Sequence, residues 1–196
     1  MASARGCRAC SWTDVLGDRR GLENCTRCAL SLTRQRVVIG SGPRDAALMV
    51  IGEAPGRTED EGGAPFIGRS GRLLFTLIEE VLGLTRQRCF VTNVVKCRPP
   101  GNRTPTRHEI DTCRGWLDEQ LNGVTSKVVL VLGNTASRSV LGHEGGIGET
   151  HGRVVTLGDK RGVATYHPAA ALRGGPIVVD VMREDLRIVG ELLENP

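Results

Sequence analysis

A chain of 196 residues, 39% hydrophobic and 24% charged, is long enough to bury one good core and too evenly mixed to be fibrous or disordered. No run approaches 18 apolar residues, and the first ten residues, MASARGCRAC, lack the apolar stretch of a secretory leader. The expectation is a cytoplasmic protein that does not touch a membrane. A net charge of +4 tolerates a polyanionic partner without requiring one, and seven cysteines in a cytoplasmic chain point to metal rather than disulfides.

In chain order, residues 1–24 read as a polar, flexible N-terminal extension, and residues 25–196 as a single domain. Residues 25–34 hold Cys25-x-x-Cys28 and begin a short helix. Residues 37–39, Val-Val-Ile, read as a small strand and residues 46–51 as the first core strand. The loop at 52–71 follows, with glycines at 52, 56, 62, 63, 68 and 71 that let the backbone approach a ligand closely. Set into it are Glu53, Glu59, Asp60, Glu61 and Phe66. A 3.6-residue stripe of Leu73, Leu74, Leu77, Ile78, Val81 and Leu82 predicts a helix over 70–83.

Residues 89–95 read as the second core strand, and Thr106-Arg107-His108-Glu109 is a capping box opening a helix to about 121. The run Val-Val-Leu-Val-Leu at 128–132 is expected of a strand buried on both faces. Gly133-Asn134 then turns into a helix to about 141. Residues 153–157 and 162–166 are further strands. The last helix, 177–193, places Met182, Leu186, Val189 and Leu193 on one face. Strands alternating with helices imply a three-layer α/β domain with a mostly parallel sheet. The loop after a parallel strand is where such folds keep their sites.

Several residues carry two readings. Cys7-x-x-Cys10 and Cys25-x-x-Cys28, 14 residues apart, approach a zinc-ribbon spacing, but a ribbon leaves Cys97 and Cys113 unused. Cys89, in an apolar strand, reads as a small buried residue. Glu53, Glu59, Asp60 and Glu61 suit solvated loop charges, Phe66 core packing, Asn93 a strand-end amide bonding its own backbone, and His167 an ordinary loop residue. The 52–71 loop has neither G-x-G-x-x-G nor G-x-x-x-x-G-K-[ST], so no standard phosphate fingerprint is present.

Three motifs in order favour a more specific reading. They are G-E-A-P-G-R-T-E-D with P-F-I-G-R-S-G in the 52–71 loop, T-N-V-V-K-C-R-P-P at 92–100, and H-P-A-A-A-L-R at 167–173. Together they resemble the family-four uracil-DNA glycosylases, which carry an iron–sulfur cluster, over roughly residues 25 to 190. The resemblance implies a three-layer α/β/α fold with a mostly parallel four-stranded central sheet. It implies a monomer that acts on DNA containing uracil, hydrolysing the N-glycosidic bond in single or double strands after base flipping and leaving an abasic site.

By position, Cys25, Cys28, Cys97 and Cys113 would hold a [4Fe–4S] cluster of structural role. Glu53 would orient or activate water, and His167 would donate to uracil O2 as charge develops. Phe66 would stack on the ring and Asn93 would read N3–H and O4, a pattern cytosine reverses. Backbone N–H groups around Gly52 and Ala54 would hold uracil oxygens, and Glu59 would exclude the thymine methyl. Leu172 would fill the gap left by the flipped base and Arg173 would contact phosphate, with Arg98, Arg103 and Arg107 as further phosphate candidates. One relative of this family traps the sugar with a histidine in the loop corresponding to 101–106. Here that loop has no histidine, so ordinary turnover is expected. A zinc-ribbon nucleic-acid-binding module without catalysis is the alternative.

Overall fold

The computed structural model describes residues 19–195. Strands β1 (Leu48–Gly52), β2 (Cys89–Asn93), β3 (Val128–Leu132), β4 (Val154–Leu157) and β5 (Lys160–Thr165) form one sheet in the order β2-β1-β3-β5-β4. Every pairing is parallel except the β4–β5 hairpin at one edge. The sheet therefore has five strands, not four. The extra one is antiparallel β4, joined to β5 by the short turn around Gly158, whose φ is +61°.

The helices are α1 (Arg19–Glu23), α2 (Arg57–Gly62), α3 (Arg69–Leu82), α4 (Arg107–Gly123), α5 (Gly133–Ala136), α6 (Ile147–Thr150), α7 (Pro168–Gly174) and α8 (Pro176–Glu194). Alternate strand residues feed two cores, as the two-residue side-chain period requires. Met49, Ile51, Phe90, Val129 and Val131 pack with Leu117 of α4 on one face. Leu48, Val50, Val91, Leu130 and Leu132 pack on the other face with Leu74, Leu77 and Ile78 of α3 and with Met182, Leu186 and Val189 of α8. The expected stripes on α3 and α8 are thus the buried faces. The capping box forms, with the Thr106 hydroxyl accepting from Glu109 N–H and the Glu109 carboxylate accepting from Thr106 N–H.

Four local expectations are corrected. Residues 19–23 are helical rather than irregular, because Leu22 is buried against Trp116. Residues 37–39 are not a strand. Val38 N–H donates to the Lys96 carbonyl at 2.8 Å, and Ser41 exchanges two backbone hydrogen bonds with Val91 on the open edge of β2. Gly40 and Gly42, at φ +140° and +134°, bend the chain before a ladder can extend. The helix after β3 is α only over α5 and continues as a π-turn over Ser137–Leu141. Two helices, α2 and α7, lie inside segments read as loops. Cys7 and Cys10 lie outside the described residues. Among those described, no helix is long and apolar enough to cross a membrane.

Candidate active site

The chain leaves β1 for β2 on one side and reaches β3 on the other, so the sheet order reverses at β1. Open α/β sheets bind ligands at the carboxyl ends of strands flanking such a point. A cavity of about 740 Å³ opens there, lined by residues following β1, β2, β3 and β5. It gathers Glu53, Ala54, Glu59, Phe66, Asn93, His167 and Arg173. Of the remaining expected residues, Gly52 lies beneath it and Leu172 stands on α7, 45% exposed.

Gly52 is where the floor is made. A Cβ there would meet Asn93 Oδ1 and Phe66 Cζ at 2.5 Å each, so only glycine lets the amide and the ring approach this close. Asn93 is 1% exposed, and its Oδ1 has no hydrogen-bond partner among the described residues. It does not bond its own backbone. A buried orphan acceptor is costly, and one at a cavity wall is explained by a ligand that donates to it.

Phe66 is buried yet has φ +53°, a left-handed conformation unfavourable for an aromatic residue. Two neighbours fix it. Gly71 leaves room for the Phe66 carbonyl, which a Cβ would meet at 1.9 Å. Arg86, stacked 4.5 Å over the Phe75 ring, donates to the Pro65 and Phe66 carbonyls at 2.5 and 3.2 Å. Arg86 is a residue that sequence reasoning missed. Replacing it with Met keeps the stem but leaves both carbonyls unpaired. Arg86→Met should cost about 2–3 kcal/mol, lowering the thermal midpoint by roughly 4–10 °C. An unchanged melt would show that the loop stands without it.

His167 caps the N-terminus of α7, its Nδ1 accepting from Ala169 N–H at 3.2 Å. In the neutral ring the proton therefore sits on Nε2. Burial pushes the pKa down to about 4, and the Arg173 guanidinium adds to the effect. The imidazole is thus a neutral Nε2–H donor at pH 7, with its centroid 5.9 Å from that of Phe66.

The Glu53 carboxylate accepts from the Thr135 hydroxyl, across the β1–β3 boundary. Thr135 is a second residue the sequence did not single out. Glu59 is buried and accepts from Gly68 N–H at 2.8 Å, so it is a fixed wall rather than a solvated charge. Asp60 is also no solvated charge. It is 1% exposed and accepts from the Gln35 and Arg36 N–H groups, tying the preceding segment to α2. Glu61 alone fits the bland reading, paired with Arg57 on the surface.

The phosphate candidates divide. Arg103 lines the cavity but makes a bidentate pair with Glu109, Arg98 donates to Asn102 Oδ1, and Arg107 pairs with Asp111. Arg173 and the unforeseen Arg138 line the cavity without such pairing in the described residues.

A second, small cavity of about 20 Å³ lies under α1 and is walled by Cys25, Cys28, Cys97 and Cys113 together with Arg27, Arg34 and Lys96. Arg34 donates to Cys97 Sγ at 3.5 Å. Burial pushes the Cys97 thiol up to about 11 and raises Cys113 as well. Four thiols around one space, faced by cations, are a donor set that suits a metal group. Yet among the described residues no three His, Cys, Asp or Glu side chains gather closely enough for a single ion. Four thiolate donors are what an iron–sulfur group takes from a protein. Cys89 is apart, buried under the other face of the sheet.

A family model described as the Uracil DNA glycosylase superfamily matches residues 39–186. The Type-4 uracil-DNA glycosylase of Saccharolobus solfataricus is 40% identical over 190 residues, covering 93% of this chain and 87% of that protein. That of Thermotoga maritima is 42% identical over 162 residues, 82% of this chain and 83% of its own. A Type-5 uracil-DNA glycosylase of Pyrobaculum aerophilum is 32% identical over 210 residues, 90% and 91% of the two chains. With these matches running through every strand that contributes to the cavity, the chain belongs to the uracil-DNA glycosylase superfamily.

Proposed function

We propose that this protein is a DNA repair hydrolase that removes uracil from single- and double-stranded DNA and leaves an abasic site. The observation that carries the reading is the buried amide oxygen of Asn93, which has no partner among the described residues and lines one cavity with the Phe66 ring and the neutral His167. A flipped uracil offers what each lacks. Its N3–H donates to Asn93 Oδ1 while Asn93 Nδ2 donates to O4, and Phe66 stacks on the ring. His167 Nε2–H donates to O2, stabilising the leaving uracil anion. Glu53, oriented by Thr135, directs a water at the sugar carbon and balances its developing positive charge. Glu59, held against Gly68, occupies the wall where a thymine methyl would lie.

Leu172, exposed on α7, takes the place of the departed base, and Arg173 with Arg138 meets phosphate. Cys25, Cys28, Cys97 and Cys113 would hold a [4Fe–4S] cluster, which would serve to cross-link the N-terminal segment to the core. Action as a monomer in the cytoplasm is part of the same proposal. Nothing among the described residues favours the zinc-ribbon alternative.

The test is alkali cleavage of a labelled oligonucleotide carrying one uracil. Cleavage at that position establishes the activity, and an intact strand refutes it. Asn93→Asp removes the donor to O4. It should lower single-turnover uracil excision roughly 10- to 100-fold and make cytosine excision detectable. Unchanged uracil excision without cytosine activity would exclude the edge-reading role.

A further inference from the structure

Lys96 lies between β2 and the cysteine site, and the reaction above makes no use of it. Its side chain is fully buried. Nζ donates to three neutral acceptors, the Asn93 carbonyl at 2.5 Å, Thr92 Oγ1 at 2.8 Å and Gln120 Oε1 at 2.7 Å. Three donated hydrogen bonds are the complement of an ammonium, since a neutral amine has only two N–H groups. The cradle is itself fixed, because Thr92 Oγ1 and Gln120 Nε2 both donate to the Ile39 carbonyl, at 3.1 and 2.6 Å.

No described carboxylate pairs with this cation. Buried charges are normally paired, because desolvation without a counter-charge is expensive. The other deeply buried lysine, Lys160, has Asp159 beside it. Among the described residues the source of negative charge for Lys96 is the cavity it lines with the four cysteines, where its own backbone N–H also faces the Cys113 sulfur. Four thiolates around an iron–sulfur core carry net negative charge.

We infer that Lys96 is the built-in counter-charge of the metal–thiolate group and, through its hydrogen bond to the Asn93 carbonyl, the positioning residue that couples that group to the base-reading amide. This rests on the proposed function. Lys96 touches the end of β2 through its ammonium and lines the cysteine site, so the group's presence is felt at the backbone of the residue that reads the uracil edge. Metal loading then supports base discrimination without contacting the base.

The experiment compares iron-loaded wild type with Lys96→Gln, which keeps N–H donors but no charge, and with Lys96→Met. Two readouts are taken, the rate at which cluster colour is lost in air with chelator, and single-turnover excision from uracil DNA with and without Asn93→Ala. Colour should be lost at least tenfold faster in both variants. The excision defect of Lys96→Gln should largely vanish in the Asn93→Ala background, because one acts through the other. Colour loss at the wild-type rate overturns the counter-charge role, and defects that multiply overturn the positioning role.

If neither Lys96 variant folds with iron, Gln120→Glu decides. It sets a competing carboxylate against the ammonium, so faster colour loss supports the inference and an unchanged rate overturns it. Colourless, inactive wild type would refute the proposed function, and this inference with it, before any substitution is made.

Discussion

Glu53→Gln should reduce kcat for uracil excision by about 10²- to 10⁴-fold while leaving KM and the thermal midpoint nearly unchanged. The substitution is isosteric. An amide oxygen can still accept from the Thr135 hydroxyl, so the crossing between the ends of β1 and β3 survives. On the proposed role of Glu53, what is lost is the charge that would orient water and offset the sugar's positive charge, an interaction that strengthens only in the transition state. Single-turnover kinetics with melting curves separate the possibilities. A fall in kcat with an intact melt assigns the chemistry to the carboxylate, whereas a lowered melt with proportionate loss would make Glu53 a structural strut. Thr135→Val gives a graded check. It keeps the charge but frees the carboxylate, and should cost roughly tenfold.

His167→Ala removes the proposed donor to O2 and should lower kcat by about 10²- to 10³-fold. Its pH behaviour is equally diagnostic. The folded-state pKa of about 4 lies below the roughly 6.5 of an unfolded histidine. Between those values the unfolded chain binds a proton that the folded chain refuses. Stability contributed through this residue is therefore full above about pH 6.5 and declines as pH falls toward about 4. Wild-type kcat should show no histidine inflection between pH 5 and 9, since the ring is already neutral throughout. Below that range protonation turns Nδ1 into a donor facing Ala169 N–H, and the α7 cap is lost. A kcat inflection near 6.5 would mean that the ring acts as a charged acid, contrary to its buried setting. The difference in thermal midpoint between wild type and His167→Ala, followed from pH 7 to 4, checks the stability sign.

Much of this was legible in the chain itself, for local reasons. The apolar run at β3 and the stripes of α3 and α8 write their burial directly into residue spacing. Motif order brought Glu53, Phe66, Asn93 and His167 to one sheet edge before any contact was known. What stayed hidden depends on partners distant in sequence. Thr135 reaches Glu53 across 82 residues, and Arg86 holds Phe66 across 20. Neither pairing leaves a periodic trace. The short helices were hidden by their composition. α2 is closed by glycines, and α7 is opened by Pro168 immediately after a histidine cap, so both read as loop. Asp60 looked solvated because its partners are backbone N–H groups, which every residue but proline possesses.

The segment at 38–42 that closes the open edge of β2 is continuous with the chain bearing Cys25 and Cys28. A sheet edge left bare is a template for pairing with other chains. Phe90, Val91 and Thr92, fully apolar or neutral and buried as long as the strap is tied, would be that template. If the four cysteines hold the proposed metal group, its oxidative loss would untie this strap and bare the β2 edge, so solubility would fall together with base discrimination.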